Sequence, residues 1–242
     1  MTSKTERDPL SITAAEMRAV MAGPPEPAAE LLRAGAHAGL PEAQALYGQI
    51  LLDGRGVDTS PVEAFHWFRQ AASSGHLMAI NMVGRCYEKG WGVAADRDAA
   101  TRCYQIAAED GLDWGMYNYA GALGLGAGVP KDDAAALAWF QKAAALGHAK
   151  SINFVGSFFE EGRCVPQDMN KAAECYRDAA ERGDFRGQFN HARMLAQAGQ
   201  VRDALVWLAA CNETCTPPFR ARMKAQLEAS PITELREAAA RF

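Results

Sequence analysis

A chain of 242 residues that is 49% hydrophobic and 22% charged has the make-up of an ordered protein with a sizeable core, not of a disordered tail. Its net charge of −4 and isoelectric point near 5.8 argue against a nucleic-acid binder that works by neutralising phosphates, so no nucleic-acid partner is expected. With no stretch near the roughly 20 apolar residues that span a bilayer, and no signal-peptide core in MTSKTERDPLSITAAEM, the expectations are no membrane insertion and a cytoplasmic location.

In chain order, residues 1–10 are polar and expected to be loose. Thr13-Ala-Ala-Glu16 has capping-box spacing and opens a short helix to about Ala22. Gly23-Pro-Pro-Glu-Pro27 stops it. From Ala28 a pattern begins that returns every 36 residues. Gly39, Gly75, Gly111, Gly147 and Gly183 keep that step, as do Gly54, Gly90, Gly126 and Gly162, and Val57, Val93, Val129 and Val165. So do Ala64, Ala100, Ala136 and Ala172, with the aromatics Phe68, Tyr104, Phe140 and Tyr176. A fixed period of this length signals stacked supersecondary units, each too small to bury its own apolar face.

Residues 77–111 show the unit. Ala79, Val83, Gly84 and Tyr87 fall at helical spacing and predict a first helix, A, over about 77–88. Gly-Trp-Gly-Val ends it, since paired glycines let the chain reverse tightly. Asp96, matched by Asp132 and Asp168, stands where a capping carboxylate accepts backbone N–H bonds. A second helix, B, presents Ala100, Tyr104, Ala107 and Ala108 before Gly111. Alanine pairs at 71–72, 107–108, 143–144 and 179–180 let neighbouring helices approach, as do Gly48, Gly84 and Gly156 on helix A. Residues 28–38 match a lone helix B, so the first helix takes the place of a missing helix A. In the fifth unit Ala204 stands four residues early, Val201 to Cys211 supplies helix B, and Thr216-Pro-Pro and Ser230-Pro231 open two terminal helices, roughly 217–229 and 231–241. The expected organisation is N-terminal cap helices and a half repeat at 1–40, five repeats at 41–212 (41–75, 77–111, 113–147, 149–183 and 185–212), and capping helices at 213–242.

MVGRCYEKGWGV in the second unit and FVGSFFEEGRCV in the fourth, each followed by Asp and by an Ala-x-x-x-Tyr and Ala-Ala helix, resemble the Sel-1-like repeat, a relative of the tetratricopeptide repeat. The resemblance covers about 28–212. It implies an all-α fold, an α-α superhelix built as a right-handed solenoid of about five helix-turn-helix repeats with helical caps. It also implies a scaffold or adaptor whose partner is a protein or peptide. Some secreted members staple adjacent helices with disulfides. Here the six cysteines fall in different columns, except Cys103 and Cys175, which replace the core aromatics Trp67 and Trp139 and read as buried reduced thiols. Cys211-Asn-Glu-Thr-Cys215 has too few companions for zinc, so no metal is expected.

No phosphate-cradling loop, H-E-x-x-H or G-x-S-x-G occurs, so no catalytic residue, enzyme activity or cofactor is expected. His76 and His148 occupy equivalent turns and suggest capping or packing. The chemistry left over lies on helix A. Its face away from the core collects Glu42, Met78, Trp114, Lys150 and Arg186 in one row. The next row holds Ala45, Asn81, Tyr117, Asn153 and Phe189, and a third holds Gln49, Arg85, Gly121, Ser157 and Arg193, with Asn118 and Asn190 beside them. Asparagine amides complement an extended peptide backbone. Trp114 and Tyr117 offer large area at small entropic cost. Lys150, Arg186 and Arg193 suit a carboxylate. The concave face is thus expected to bind a peptide segment or partner protein, which requires Asn81 and Asn153 to lie outside the packed interior. Trp91, alone in its turn column, is expected to be an exposed contact. Glu88, Glu160 and Glu161 sit oddly at helix C-termini, where the macrodipole disfavours negative charge. The competing readings are a self-associating structural protein, which leaves the oligomeric state open, and a hydrolase with an unrecognised site.

Overall fold

The computed structural model describes residues 13–241, among which every regular element is helical. The expectation for residues 1–10 lies outside the described residues. The chain divides into two compact units, Met1–Lys131 and Asp132–Phe242.

In the first unit, the Thr13 hydroxyl accepts the Glu16 N–H at 3.2 Å while the Glu16 carboxylate accepts the Thr13 N–H at 2.9 Å. This reciprocal cap opens α1 (Ala14–Val20), which ends slightly before the expected Ala22. Proline in the first turn starts α2 (Pro25–His37), α3 (Pro41–Asp53) and α4 (Pro61–Ser73), and α5 (Leu77–Lys89), α6 (Arg97–Glu109) and α7 (Asp113–Leu125) follow. From α2 onward each helix packs on the next, and α1 packs on α3, the place of a missing partner helix. Arg55, just after α3, donates to the carbonyls of Met21 and Gly23 and ties that entry segment down.

Two devices set the spacing. Phe68 and Tyr104 are almost wholly buried, and a Cβ at Gly48 or Gly84 would lie 2.8 or 2.7 Å from their ring carbons. Glycine on helix A therefore admits the aromatic ring of helix B. Each ring so buried contributes about 2–3 kcal/mol. The second device is the turn. Gly90 closes α5 at φ 72°, and Gly92 at φ 70° would put a Cβ 2.1 Å from the Pro61 carbonyl oxygen at the start of α4. The tip of one hairpin thus rests on the first turn of the helix B before it.

The second unit holds α8 (Asp133–Ala145), α9 (Ala149–Glu161), α10 (Met169–Glu181), α11 (Phe185–Gln197), α12 (Val201–Thr214), α13 (Pro217–Glu228) and α14 (Thr233–Ala238), ending in a 3-10 turn. Consecutive helices from α8 to α12 pack pairwise, and Tyr176 fills the space above Gly156 as Tyr104 does above Gly84. Asp96 in the first unit and Asp132 and Asp168 in the second accept backbone N–H bonds of the third helical residue at 2.9 to 3.0 Å, each worth about 1 kcal/mol. The C-terminal core joins Leu208 and Cys211 of α12 to Phe219, Met223 and Leu227 of α13. Helix α12 runs on to Thr214, past the expected Cys211. Ser230 does not open a helix: its hydroxyl accepts the Ile232 N–H at 3.2 Å, a local turn that delays α14 to Thr233.

All six cysteines are free thiols, with Cys86, Cys211 and Cys215 buried and Cys103 and Cys175 half-buried. Among the described residues Cys164 is the one non-glycine with positive φ, at 55°, in the turn position that Gly56, Gly92 and Gly128 hold in earlier units. A Cβ in the left-handed region costs about 1 kcal/mol. Cys164→Gly is therefore expected to raise unfolding free energy by about that amount, measured by urea titration under reducing conditions. A loss of stability would show that the weak Cys164 Sγ–Asp133 carbonyl contact, at 3.5 Å, outweighs the backbone strain.

Candidate functional site

The expected face is carried by α3, α5 and α7 in the first unit and by α9 and α11 in the second. In the first unit α5 and α7 touch, and the Asn118 amide donates to the Asn81 carbonyl at 2.7 Å. In the second unit α9 and α11 touch, and Asn190 donates to Asn153 at 2.9 Å. Asn81 is 2% exposed and Asn153 6%. This corrects the expectation for those two residues: they lie in the packed interior, so the face built on their amides falls, and they serve instead to pair α5 with α7 and α9 with α11. The cause is the closeness of the helices, since a polar group buried between them must be paired. Asn118 and Asn190 remain half-buried at the margin of the face.

What stays accessible in the first unit is apolar and aromatic. Met78 and Trp114 are 37% and 36% exposed, and the half-buried Tyr117 meets Trp114 edge to face at 6.0 Å. The Arg85 guanidinium lies over the Trp91 ring, its central carbon 5.1 Å from the ring centre, with a contact of 3.7 Å to the Met82 sulfur. Trp91 itself is half-buried against the core, not exposed as expected, because the Arg85 guanidinium covers one ring face and the core takes another.

In the second unit the cations already face acids of their own chain. Arg193 grips Glu160 at 2.7 Å. Asp184 caps α11 by accepting the Gly187 N–H at 2.9 Å. Burial pushes the Asp184 carboxyl up, against the pull of that N–H and of the Arg186 and Lys150 charges. Arg186 also lies over Phe185 and Phe219, and Phe189 meets Phe219 edge to face at 5.7 Å, so α13 covers part of this face. Ser157 is half-buried, its hydroxyl donating to the Phe154 carbonyl at 2.8 Å.

Sequence reasoning missed the groups that explain the odd glutamates. The Tyr104 hydroxyl donates to Glu88 at 2.7 Å, and the Tyr176 hydroxyl to Glu160 at 2.6 Å. Burial, then the neighbouring carboxylate, pushes both phenols up. Burial alone would raise Glu88 too, but hydrogen bonds from Lys89 and Tyr104 outweigh it and hold the carboxyl low. The signal was present in sequence: where helix B carries Phe68 or Phe140, the position sixteen earlier is Leu52 or Gly124. His76 and His148 cap α5 and α9, accepting the N–H of Ala79 at 3.1 Å and Ser151 at 3.3 Å. Among the described residues no three His, Cys, Asp or Glu are grouped to hold a metal, and no helix is long and apolar enough to cross a membrane.

Four segments, 41–76, 77–112, 115–148 and 149–184, match the Sel1 repeat. The chain is 33% identical over 139 residues to a chitin synthase regulatory factor of Schizosaccharomyces pombe, covering 54% of this chain and only 14% of that protein's length. A Sel1 repeat protein from Oxalobacter formigenes superposes with a TM-score of 0.77 at 23% identity, over 95% of this chain and 99% of that one. A protective antigen of uropathogenic Escherichia coli with an SLR fold gives a TM-score of 0.66 at 24% identity, over 90% of this chain and 48% of that one. At these identities the two structures show the fold alone.

Proposed function

The chain belongs to the Sel1 repeat family, and from that premise we propose that it is a non-catalytic interaction scaffold whose A helices recognise a peptide segment or partner protein. In this reading residues 41–212 form five repeats that present the recognition surface, and 1–40 and 213–242 are caps. The observation that carries it is the pair Trp114 and Met78, large apolar side chains exposed on adjacent A helices with Tyr117 edge-on beside them. Aromatic anchors of this kind concentrate binding energy. The role of the S. pombe relative as a regulatory factor is consistent with action on another protein.

Panning a random-peptide phage library against the folded protein tests this. Selected peptides are expected to lose roughly tenfold or more in affinity against Trp114→Ala/Tyr117→Ala protein. They are expected to be indifferent to Val206→Ala, an exposed apolar residue of α12. Peptides that ignore the double substitution, or a library with none enriched, would overturn the reading.

A further inference from the structure

The repeats supply their own template for a ligand. In the second unit Glu160 holds two donors at once, the Tyr176 hydroxyl at 2.6 Å and the Arg193 guanidinium at 2.7 Å. One pair of repeats earlier, Glu88 and Tyr104 reproduce the first half of that arrangement at 2.7 Å. The residue that matches Arg193 is Gly121. A Cβ built there meets nothing within 4 Å, so the surface of α7 is open at that point. The carboxylates record the difference: the Glu88 side chain is 41% exposed and that of Glu160 only 23%.

We infer that the open place at Gly121 receives an arginine side chain of a basic peptide partner, which completes on Glu88 and Tyr104 the triad that Arg193 completes on Glu160 and Tyr176. The inference rests on the reading of the A helices as a recognition surface and names the chemistry of its occupant. Charge complementarity favours a cation. Glu88 spends one oxygen on Tyr104 and one on Lys89 at 2.8 Å, and a carboxylate accepts about four hydrogen bonds. The Lys89 pair is solvent-exposed on both sides and therefore weak. Arg85 does not fill the place: it is turned onto Trp91 and donates to no carboxylate among the described residues. One helical turn before Gly121 stands Tyr117, with Trp114 at its edge, an aromatic flank suited to a guanidinium plane.

The test uses two probes on the whole chain, N-acetyl-arginine methylamide and its uncharged citrulline counterpart, followed by amide chemical shifts. The arginine probe is expected to move the signals of Glu88, Trp114 and Gly121 with a Kd on the order of millimolar, and the citrulline probe to leave them in place. Glu88→Gln is expected to weaken the arginine response about tenfold. Gly121→Arg, which supplies the guanidinium from within, is expected to abolish it while the helical melting curve holds or rises. Equal shifts with citrulline, no shift at Gly121, or an undiminished response in either variant would overturn the inference. If the arginine probe fails while library peptides still depend on Trp114 and Tyr117, the inference falls and the scaffold reading stands. If both fail, the recognition surface falls with it.

Discussion

Gly92→Ala is expected to lower the unfolding free energy by roughly 3 kcal/mol. An alanine held at φ 70° costs about 1–2 kcal/mol. Its Cβ would also lie 2.1 Å from the Pro61 carbonyl oxygen and 2.5 Å from the carbonyl carbon. Both are backbone atoms that yield only if α4 shifts, and forced shifts of packed elements cost another ~1–3 kcal/mol. Gly75→Ala is the control, since its φ is 77° but nothing lies within 4 Å of the added carbon. That variant isolates the conformational term at about 1 kcal/mol. Both are read by urea unfolding with tryptophan fluorescence. Equal losses in the two variants would mean that the seat of the turn on Pro61 contributes nothing.

Tyr176→Ala is expected to cost about 4 kcal/mol, the usual penalty for removing a large ring from a site that collapses only partly. The ring is 1% exposed, and its edge lies against Gly156, where no side chain is available to swing into the hole. Tyr176→Phe keeps the ring and is expected to cost about 1 kcal/mol, because Glu160 loses one donor and retains Arg193. The gap between the two variants, measured by the same titration, separates packing from the hydrogen bond. A phenylalanine variant as unstable as the alanine one would place the energy in the hydroxyl instead.

Much of the fold was legible because it is written in columns. Ala64, Ala100, Ala136 and Ala172 recur at one step, and all four are buried, as periodicity requires. The capping aspartates were readable for the same reason: a short polar residue just before an apolar period has one common use. Helix boundaries were less so where local hydrogen bonding competes, as at Ser230. The face was read only in part. Sorting residues by their distance from the core stripe put Asn81 and Asn153 among the accessible side chains. The third surface of helix A, the one turned to the next helix A, was not distinguished from the open one. A helix in a stack has two neighbours as well as a core, and the 36-residue period alone does not separate those directions. The pairing of Asn81 with Asn118 at a separation of 37 does, and so does the return of Asn, Tyr and Glu at twice the basic step.

The asparagine pair has a consequence for how so repetitive a chain finds its order. Hairpins that look alike invite a skipped neighbour, with α3 docking directly on α7. In that mispairing Asn118 would meet Ala45, the residue that matches Asn81 one step upstream, and its half-buried amide would face a methyl group with no acceptor. An unpaired amide at such a margin costs about 1 kcal/mol, the low end of the penalty for a buried one. The lock is missing at Ala45, so α7 is told to sit on α5 and not on α3.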